Sequence, residues 1–401
     1  MSLIVQKFGG SSVRDAQRVL NVARRVAAVF DQGNKVVVVV SAQGDTTDDL
    51  IAKAMEINPK ANKREMDVLL SSGEQISIAL LAMALESMGY PAKSLTGWQA
   101  GFVTDSTHGN SRIRRVETER IENELDKGNI VIVAGFQGLN RYDDITTLGR
   151  GGSDTSAVAI AAACHADLCQ IYTDVDGVYT ADPRLVSGTR KLSEITYDEM
   201  LELASLGAQV LHNRSVEMAK KYNVPLEVLS SLEEKPGTVI KEVAKVEKML
   251  IKGVAKDDEV TRISIIGVQD IPGIAFQIFS ALAAKKVNVD IILQSVGRNE
   301  TKDITFTVAD SQREDALAVV EGLKGTLRAK GISCEGVTKV SVVGAGMESN
   351  YGVAAKMFEA LSEASINIQM IATSEIKISV LIDREDGLRA MRVVHEAFFA
   401  T

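Results

Sequence analysis

The chain has 401 residues, of which 45% are hydrophobic and 24% charged, a composition typical of a globular protein and not of a disordered one. Its formal net charge of -8 argues against nucleic acid or a membrane surface as a partner. The longest apolar runs, such as Ala157 to Cys164, are far shorter than the ~20 residues that cross a bilayer. Three cysteines without a CxxC pair and a start unlike a signal peptide predict a reducing, cytoplasmic location.

Short β-branched runs alternate with helical patterns over the first 240 residues. Strands are predicted at Leu3 to Phe8, Val36 to Val40, Ile130 to Val133 and Gln170 to Thr173. The five consecutive valines are typical of a strand buried on both faces of a parallel sheet. A helix with one apolar stripe is predicted between Ala16 and Phe30. Each strand precedes a loop of small residues, and such loops bind ligands at the carboxyl ends of open α/β sheets.

The first of these loops has the residue types that bind phosphate. Lys7 ends the first strand and precedes Phe8, Gly9 and Gly10. Glycines let the backbone approach an anion closely, and a helix N-terminus directs N–H groups at it. On local grounds alone, a strand-end lysine beside an ordinary turn is an equal alternative.

A second candidate site is the segment Gly149 to Ser156, which precedes an apolar helix predicted over Ala157 to Cys164. It combines Arg150, suited to bidentate carboxylate binding, with two adjacent glycines and a helix N-terminus. Asp154 falls in the first turn, where an N-terminal cap is the alternative to a functional role.

The segment Ser71 to Glu74 is predicted to open a buried helix that runs to about Met88. Glu74 would then lie at the mouth of that helix. A carboxylate in this position is a candidate partner for a substrate ammonium group, and a residue complementing the helix dipole is the alternative.

No side-chain metal site is predicted. The loop Thr173 to Arg184 contains DxDG but lacks the other acidic ligands of a calcium loop, so a tight turn is the better interpretation. The four histidines are scattered without metal-ligand spacing.

An internal repeat dominates the last third of the chain. Gly273 to Ser295 aligns without a gap with Gly352 to Ser374, and each copy has the pattern strand, helix, strand, strand, helix. A charged segment at Lys241 to Met249 marks the predicted domain boundary.

Together, the segments KFGGSS, SAQGDTTD, SSGEQ, TTLGRGGSDTS and IYTDVDGVYTADPR, followed by the paired modules, closely resemble the aspartate kinases of the amino-acid-kinase family. The resemblance covers essentially the whole chain. It implies a three-layer α/β/α, carbamate-kinase-like catalytic domain at residues 1–245. Two α+β ferredoxin-like ACT domains would follow at 260–335 and 336–401, the second completed by a strand from about 249–257.

The resemblance also implies a reaction, transfer of the ATP γ-phosphoryl group to the β-carboxylate of L-aspartate, with Mg²⁺ bound mainly through the nucleotide phosphates. Lys7 and Asp154 would be catalytic. Nucleotide contacts would come from Lys7, Phe8, Gly9, Gly10, Ser41, Thr173, Asp174, Tyr179, Asp182, Pro183, Arg184 and Gln209, the last replacing a lysine found in many members. Aspartate contacts would come from Thr47, Glu74, Arg150, Gly151, Gly152 and Ser153. Glu74 would take the amino group and Arg150 the α-carboxylate.

The paired modules resemble ACT domains that bind end-product amino acids. Effector contacts would come from Asp270, Ile271, Gly273, Ala275, Asn288, Val289, Asp290, Gln294, Asn367, Ile368, Ser374 and Glu375. Feedback inhibition by lysine, threonine or both is the hypothesis, with an ACT-mediated homodimer; a purely structural dimerisation module is the alternative. An internal start near Met249 would add a separately translated regulatory subunit. The rival functions are a glutamate or N-acetylglutamate kinase and an inactive amino-acid sensor.

Overall fold

The computed structural model describes residues 1–205, 210–242, 251–297, 300–345, 347 and 351–400. Two compact units form, one from Met1–Tyr179 and Arg190–Glu247, the other from Thr180–Thr189 and Lys248–Thr401. This division differs from a single cut near residue 245, because Thr180–Thr189 belongs to the second unit. Ala181 and Val186 are buried in a core of that unit, and the Val254 amide donates a 2.8 Å hydrogen bond to the Thr180 carbonyl. The predicted domain limits themselves stay a prediction.

The first unit is an alternation of strands and helices. Its strands are β1 (Leu3–Phe8), β2 (Lys35–Val40), β3 (Ala92–Leu95), β4 (Phe102–Thr104), β5 (Ile113–Val116), β6 (Ile130–Ala134), β7 (Gln137–Leu139), β8 (Ile145–Thr147), β9 (Leu168–Thr173), β10 (Glu194–Thr196), β11 (Leu226–Ser230) and β12 (Thr238–Lys241). Its helices are α1 (Ala16–Phe30), α2 (Thr46–Ile57), α3 (Lys63–Ser87), α4 (Glu119–Asp126), α5 (Gly152–Ala163), α6 (Tyr197–Ser205) and α7 (Asn213–Tyr222).

The main sheet of this unit has the order β10-β12-β11-β9-β1-β2-β6-β3. The six strands from β11 to β3 are parallel, with Phe8 opposite both Val40 and Tyr172. Because parallel strands end at one edge, the loops after β1, β2, β6 and β9 meet there. The predicted clustering of these loops is confirmed.

The valine strand explains the layers. Alternate side chains of a strand point to opposite faces of its sheet. Because all of Val36 to Val40 are fully buried, both faces of the sheet must be covered. Val36, Val38 and Val40 pack with α1 and α3 in one core cluster, while α5 packs on β1 and β2 and covers the other face. The three-layer α/β/α prediction is therefore confirmed. A smaller sheet, β5-β4-β7-β8, accompanies the main one.

Helix α3 corrects one prediction. It begins at Lys63, where the Asn62 side chain accepts from the Arg64 amide as an N-cap, and not at Ser71. Glu74 consequently lies in the middle of the helix, so it is neither at a helix mouth nor a partner of the N-terminal dipole. Asparagine is a preferred N-cap residue. Asn62 is therefore a signal in the sequence for the true start, which the prediction of a start at Ser71 does not use.

The prediction of a buried helix holds for only one face of α3. One face is buried, but Val68, Ile76, Leu80 and Met83 are exposed. By length and hydropathy alone α3 could cross a membrane. The core helices of soluble proteins pass the same criterion, and the buried face of α3 packs against the sheet and α1.

The second unit is built from the repeat. Its strands are β13 (Gly253–Gln269), β14 (Ile292–Gln294), β15 (Thr301–Ala309), β16 (Gly331–Val343), β17 (Met370–Thr373) and β18 (Lys377–Asp383). Its helices are α8 (Ile274–Ala284), α9 (Arg313–Leu323), α10 (Val353–Glu363) and α11 (Gly387–Phe399). These strands form one sheet with the order β14-β15-β13-β16-β18-β17. The first three strands in this order belong to one copy of the module and the last three to the other. Gly273 and Gly352, identical in the repeat, both cap a helix with φ near +93° and +94°.

The two modules complete each other through their long strands. The first part of β13, Gly253–Asp257, pairs with Val343–Lys339 of β16, and the later part pairs with the first part of β16. Each module thus gains a strand from the other. The strand expected from about 249–257 is present over residues 253–257, while 249 and 250 lie outside the described residues.

Candidate active site

A cavity of about 300 Å³ lies at the carboxyl edge of the main sheet. Eleven of the residues predicted to act in catalysis or to bind substrate or nucleotide line it, namely Lys7, Gly9, Gly10, Ser41, Thr47, Glu74, Arg150, Gly151, Gly152, Ser153 and Asp154. They come from the loops after β1 and β2, from α2, α3 and the start of α5. The parallel sheet brings these distant segments together, because their strands end at the same edge.

A lysine–aspartate pair forms one wall of the cavity. Lys7 Nζ lies 2.6 Å from Asp154 Oδ1, and both side chains are only 12% exposed. Helix α5 begins at Gly152, earlier than predicted, and its N-cap is Gly151 with φ +69° and no side-chain cap. The alternative role of Asp154 as the N-cap is therefore wrong. The uncapped amides at the start of α5 remain available to an anion.

The glycine loop after β1 packs tightly on the loop after β2. A Cβ on Gly10 would lie 2.6 Å from the Ala42 carbonyl oxygen, so a side chain at this position would force the loops apart. The Ser41 hydroxyl donates to Ser153 Oγ at 2.9 Å, which joins the end of β2 to the first turn of α5. The residues of the glycine loop and the two serines line the cavity together with Lys7, a combination of backbone amides, hydroxyls and a cation that is suited to phosphate oxygens.

Glu74 places a buried carboxylate at the cavity. Its side chain is 3% exposed, and the Ala42 amide donates to its Oε1 at 3.1 Å. Its Oε2 is buried without a hydrogen-bond partner among the described residues. Burial raises the pKa of Glu74 to about 8, even though that amide bond favours the ionised form. A cationic ligand would complete this site.

Arg150 stands at the exposed rim of the cavity, on a turn between two glycines of positive φ. A Cβ on Gly151 would lie 2.3 Å from the His212 side chain, so α7 closes one side of this turn. Arg150 and Glu74 line the same cavity. One is suited to a carboxylate and the other to an ammonium group.

Several predicted nucleotide residues do not line the cavity. The Phe8 side chain is fully buried and stacks on Tyr172 with centroids 4.4 Å apart, which leaves only its backbone for a ligand. Thr173 donates to Asp174 Oδ1, while Tyr179 donates to Asp176 Oδ1 at 2.7 Å. Burial and this hydrogen bond raise the pKa of Tyr179 to about 12.

The remaining nucleotide candidates lie elsewhere. Asp182, Pro183 and Arg184 belong to the second unit, where Arg184 Nε donates to Asp182 Oδ1 at 3.0 Å and holds the pKa of that carboxyl below its usual range. Gln209 lies outside the described residues.

The predicted effector residues are spread over the two modules, and only Asn288 with Asn367 and Val289 with Ile368 are equivalent in the repeat. In the first, Asp270 pairs with Lys302 at 2.9 Å and Asp290 with Lys339 at 2.6 Å. The Asn288 amide donates to Gln312 Oε1. The neighbouring candidates Ile271, Gly273, Ala275 and Gln294 are exposed, and Val289 packs against the core. In the second module Asn367, Ser374 and Glu375 are exposed, while Ile368 packs against the core.

Four further residues line the cavity without having been predicted, namely Ala42, Gly44, Phe136 and Gly149. Ala42, Gly44 and Phe136 lie in the loops that follow predicted strands, and Gly149 opens the candidate segment Gly149 to Ser156, so taking each segment as a whole would have included all four. The described residues contain no group of three or more His, Cys, Asp or Glu side chains that could hold a metal ion.

Comparisons with known proteins agree with this geometry. The amino acid kinase family model matches residues 2–230, and the ACT domain model matches residues 263–322 and 340–398. The aspartokinase of Bacillus sp. (strain MGA3) is 52% identical over 400 residues, covering 99% of this chain and 97% of that protein. The chain belongs to the aspartokinase family.

Solved structures of aspartokinases share the fold. The aspartate kinase from Synechocystis is 44% identical with a TM-score of 0.57, and the match covers 100% of this chain and 70% of that one. The aspartokinase III of E. coli, in complex with lysine and aspartate in a T-state, is 25% identical with a TM-score of 0.75, covering 99% of both chains. The prediction of an aspartokinase fold with paired ACT domains is confirmed.

Proposed function

We propose that the chain transfers the γ-phosphoryl group of ATP to the β-carboxylate of L-aspartate, giving 4-phospho-L-aspartate. The observation that carries the proposal is one cavity lined by the Lys7–Asp154 pair, by Glu74 with its buried side chain and by Arg150. Membership of the aspartokinase family supports it independently.

In this proposal the amino-acid end of the substrate lies between Glu74 and Arg150. The unpartnered Oε2 of Glu74 accepts from the ammonium group, and Arg150 donates to the α-carboxylate. Thr47, in the first turn of α2, and the turn Gly151 to Ser153 border the same space. Charged hydrogen bonds of this kind fix the orientation of the substrate as well as its affinity.

The β-carboxylate needs no general base. Its unperturbed pKa near ~3.9 leaves it ionised at neutral pH, so the difficulty is the repulsion between two anions. Lys7, the glycine-loop amides and the N-terminus of α5 supply positive potential where negative charge accumulates on the transferring phosphoryl group. Asp154 orients the Lys7 ammonium across its 2.6 Å contact.

The nucleotide binds from the Lys7 side, through Lys7, Gly9, Gly10, Ser41 and the backbone of Phe8. Thr173, Asp174, Tyr179, Asp182, Pro183, Arg184 and Gln209 stay predictions by resemblance. Mg²⁺ neutralises charge on the phosphate oxygens when bound. Because the described side chains form no metal-binding group of three, the nucleotide phosphates would be its principal ligands.

The paired modules are proposed to bind lysine, threonine or both and to inhibit the kinase, as the lysine complex of the E. coli relative suggests. Residues 260–335 and 336–401 are the proposed ACT domains, after a catalytic domain at 1–245. The edge strand β14 is wholly exposed, which suits an ACT-mediated homodimer. A separate regulatory subunit from Met249 and a cytoplasmic location belong to the same proposal.

The test is a coupled assay with MgATP and a panel of acidic amino acids, with trapping of the acyl phosphate by hydroxylamine. Aspartate should give product, while glutamate and N-acetylglutamate should not. Arg150→Ala and Glu74→Gln should raise the KM for aspartate by ~10-fold or more and leave the KM for ATP nearly unchanged. An unaltered aspartate KM in both variants would refute the substrate assignment.

A further inference from the structure

A second buried carboxylate, Asp67, lies close to the cavity but does not line it. Its side chain is 1% exposed. It accepts from Thr147 Oγ1 at 2.5 Å, from the Gly109 amide at 3.1 Å, and lies 2.8 Å from His108 Nδ1. A buried charge with this many partners joins its neighbours firmly, because removing one partner leaves the other polar groups unsatisfied.

The partners of Asp67 lead to Arg150. Thr147 ends β8, three residues before Arg150. The loop of His108 and Gly109 packs on Gly149, where a Cβ would lie 3.1 Å from the Gly109 carbonyl oxygen. The turn that carries Arg150 is therefore held through both of the segments that Asp67 binds.

Arg214 of α7 holds the same two segments from another side. Its Nη2 donates to the Ser111 carbonyl at 2.8 Å, and its Nη1 donates to the Leu148 carbonyl at 3.0 Å. Arg214 is half-buried, and this burial lowers the pKa of its guanidinium. The segments that Asp67 and Arg214 hold thus support the turn, while Arg150 itself stays at the exposed rim of the cavity.

Asp67 and Glu74 share one face of α3. They are seven residues apart, which is about two helical turns and ~10.5 Å along the axis, and both are buried. The amino group and the α-carboxylate of an amino acid lie on one carbon, so a site that binds both needs a fixed spacing between its two charged side chains.

We propose that Asp67 is a positioning residue that fixes the Arg150 turn relative to Glu74 and thereby determines affinity for the α-amino-acid end of the substrate. The inference rests on the proposed function, since it assigns Arg150 to the substrate carboxylate. Helix α3 then carries one carboxylate for the ammonium group and a second that sets the place of the guanidinium.

The test is Asp67→Asn in the full chain. The amide keeps the size of the side chain but loses its charge and one acceptor. The expected result is a ~10-fold rise in the KM for aspartate with kcat and the KM for ATP within ~2-fold, since Arg150 binds ground state and transition state alike. A change in kcat and both KM values together would indicate a merely structural role and overturn the inference.

A double-mutant cycle separates the inference from the proposed function. If Asp67 acts through Arg150, Asp67→Asn should change the aspartate KM by less than ~2-fold in an Arg150→Ala background. Additive effects would overturn the positioning role while leaving the proposed function intact. If Arg150→Ala alone does not raise the aspartate KM, the substrate assignment itself fails.

A matched pair of threonines covers the case in which Asp67→Asn does not fold. Thr147→Val removes the hydroxyl donor to Asp67 with little change in shape, and should raise the aspartate KM by ~3-fold. The neighbouring Thr146 is equally buried and bonds Thr104 Oγ1 at 2.6 Å instead. Thr146→Val should lower the thermal midpoint without changing the aspartate KM. Equal KM effects of the two variants would overturn the inference.

Discussion

The Lys7–Asp154 contact gives the lysine a fixed direction at the cavity. An ammonium group on a flexible chain costs entropy to order when it binds phosphate, and a 2.6 Å ion pair with both side chains mostly buried orders it beforehand. The same pair leaves neither side chain as an unpaired buried charge at the cavity.

Lys7→Ala should lower kcat by ~100-fold or more, the size expected when a donor to developing charge is lost. The loss should appear in single-turnover measurements of phosphoryl transfer. Lys35, a surface lysine paired with Asp126, offers a control, since Lys35→Ala should leave kcat unchanged. Full activity of the Lys7→Ala variant would refute a catalytic role for this lysine.

The pKa of Glu74, raised by burial to about 8, predicts a pH dependence for aspartate binding. Below pH 8 the free enzyme holds Glu74 protonated, and a neutral carboxyl group binds an ammonium group weakly. The KM for aspartate should therefore fall as pH rises, by up to ~10-fold per pH unit between pH 6 and 7, and level off above pH 8. Steady-state kinetics over this range measure it.

Glu74→Gln is the control for this profile. The glutamine cannot ionise, so the aspartate KM should be high at every pH and nearly flat. A slope that persists in the variant would assign the titration to another group.

At the scale of elements, the site depends on where two helices begin. Helix α5 begins at the cavity because Gly151 adopts φ +69° against His212, a conformation that disfavours other residues. Helix α3 begins eight residues before the segment that looked like its start. Its length brings Asp67 and Glu74 onto one face, and only the full helix has both.

Gly151→Ala tests the turn between β8 and α5. The added Cβ would lie 2.3 Å from His212 at a positive φ, so the turn must shift and move Arg150 with it. The aspartate KM should rise by ~10-fold or more, with a loss of stability of about 1–3 kcal/mol. Denaturant unfolding and kinetics measure the two effects.

Gly128→Ala supplies the matched comparison. Gly128 also has φ +81°, but a Cβ there meets nothing within 4 Å. The Gly128→Ala variant should also lose stability, because a positive φ disfavours alanine, but its KM for aspartate should stay unchanged. A Gly151 variant with the same kinetics as the Gly128 variant would show that the turn does not position the substrate.

At the scale of the whole molecule, the two ACT modules share one sheet through β13 and β16. Each module has its own apolar core, but each completes its sheet with a strand of the other. A ligand bound to one module therefore acts on a structure that the other module helps to form, and coupling requires that the ligand prefer one state.

Saturating lysine, threonine or both together should lower kinase activity and raise the thermal midpoint, since a ligand that binds only folded protein stabilises it. Asp270→Ala, which removes the partner of Lys302, should weaken the response and keep the activity without effector. If neither amino acid, alone or combined, changes activity or midpoint, the regulatory hypothesis fails.

Much of this protein follows from its sequence alone. Five consecutive valines, the strand-end loops and the ungapped repeat predicted a parallel α/β domain followed by paired modules, because hydrophobic pattern and repetition are local properties of the chain. The three-layer arrangement was implied only by the resemblance. The resemblance pointed to eleven of the residues that line the cavity, since their motifs are contiguous.

Tertiary structure decided what depends on partners distant in the chain. The sequence pattern could not tell that one oxygen of Glu74 is buried without a partner among the described residues, or that Phe8 stacks on Tyr172 in the core. Asp67 is an ordinary helical aspartate in sequence. It becomes a buried carboxylate with several hydrogen bonds only when α3 packs against His108 and Thr147, which lie 41 and 80 positions further along the chain. Burial and hydrogen bonding are therefore set by what the fold brings near.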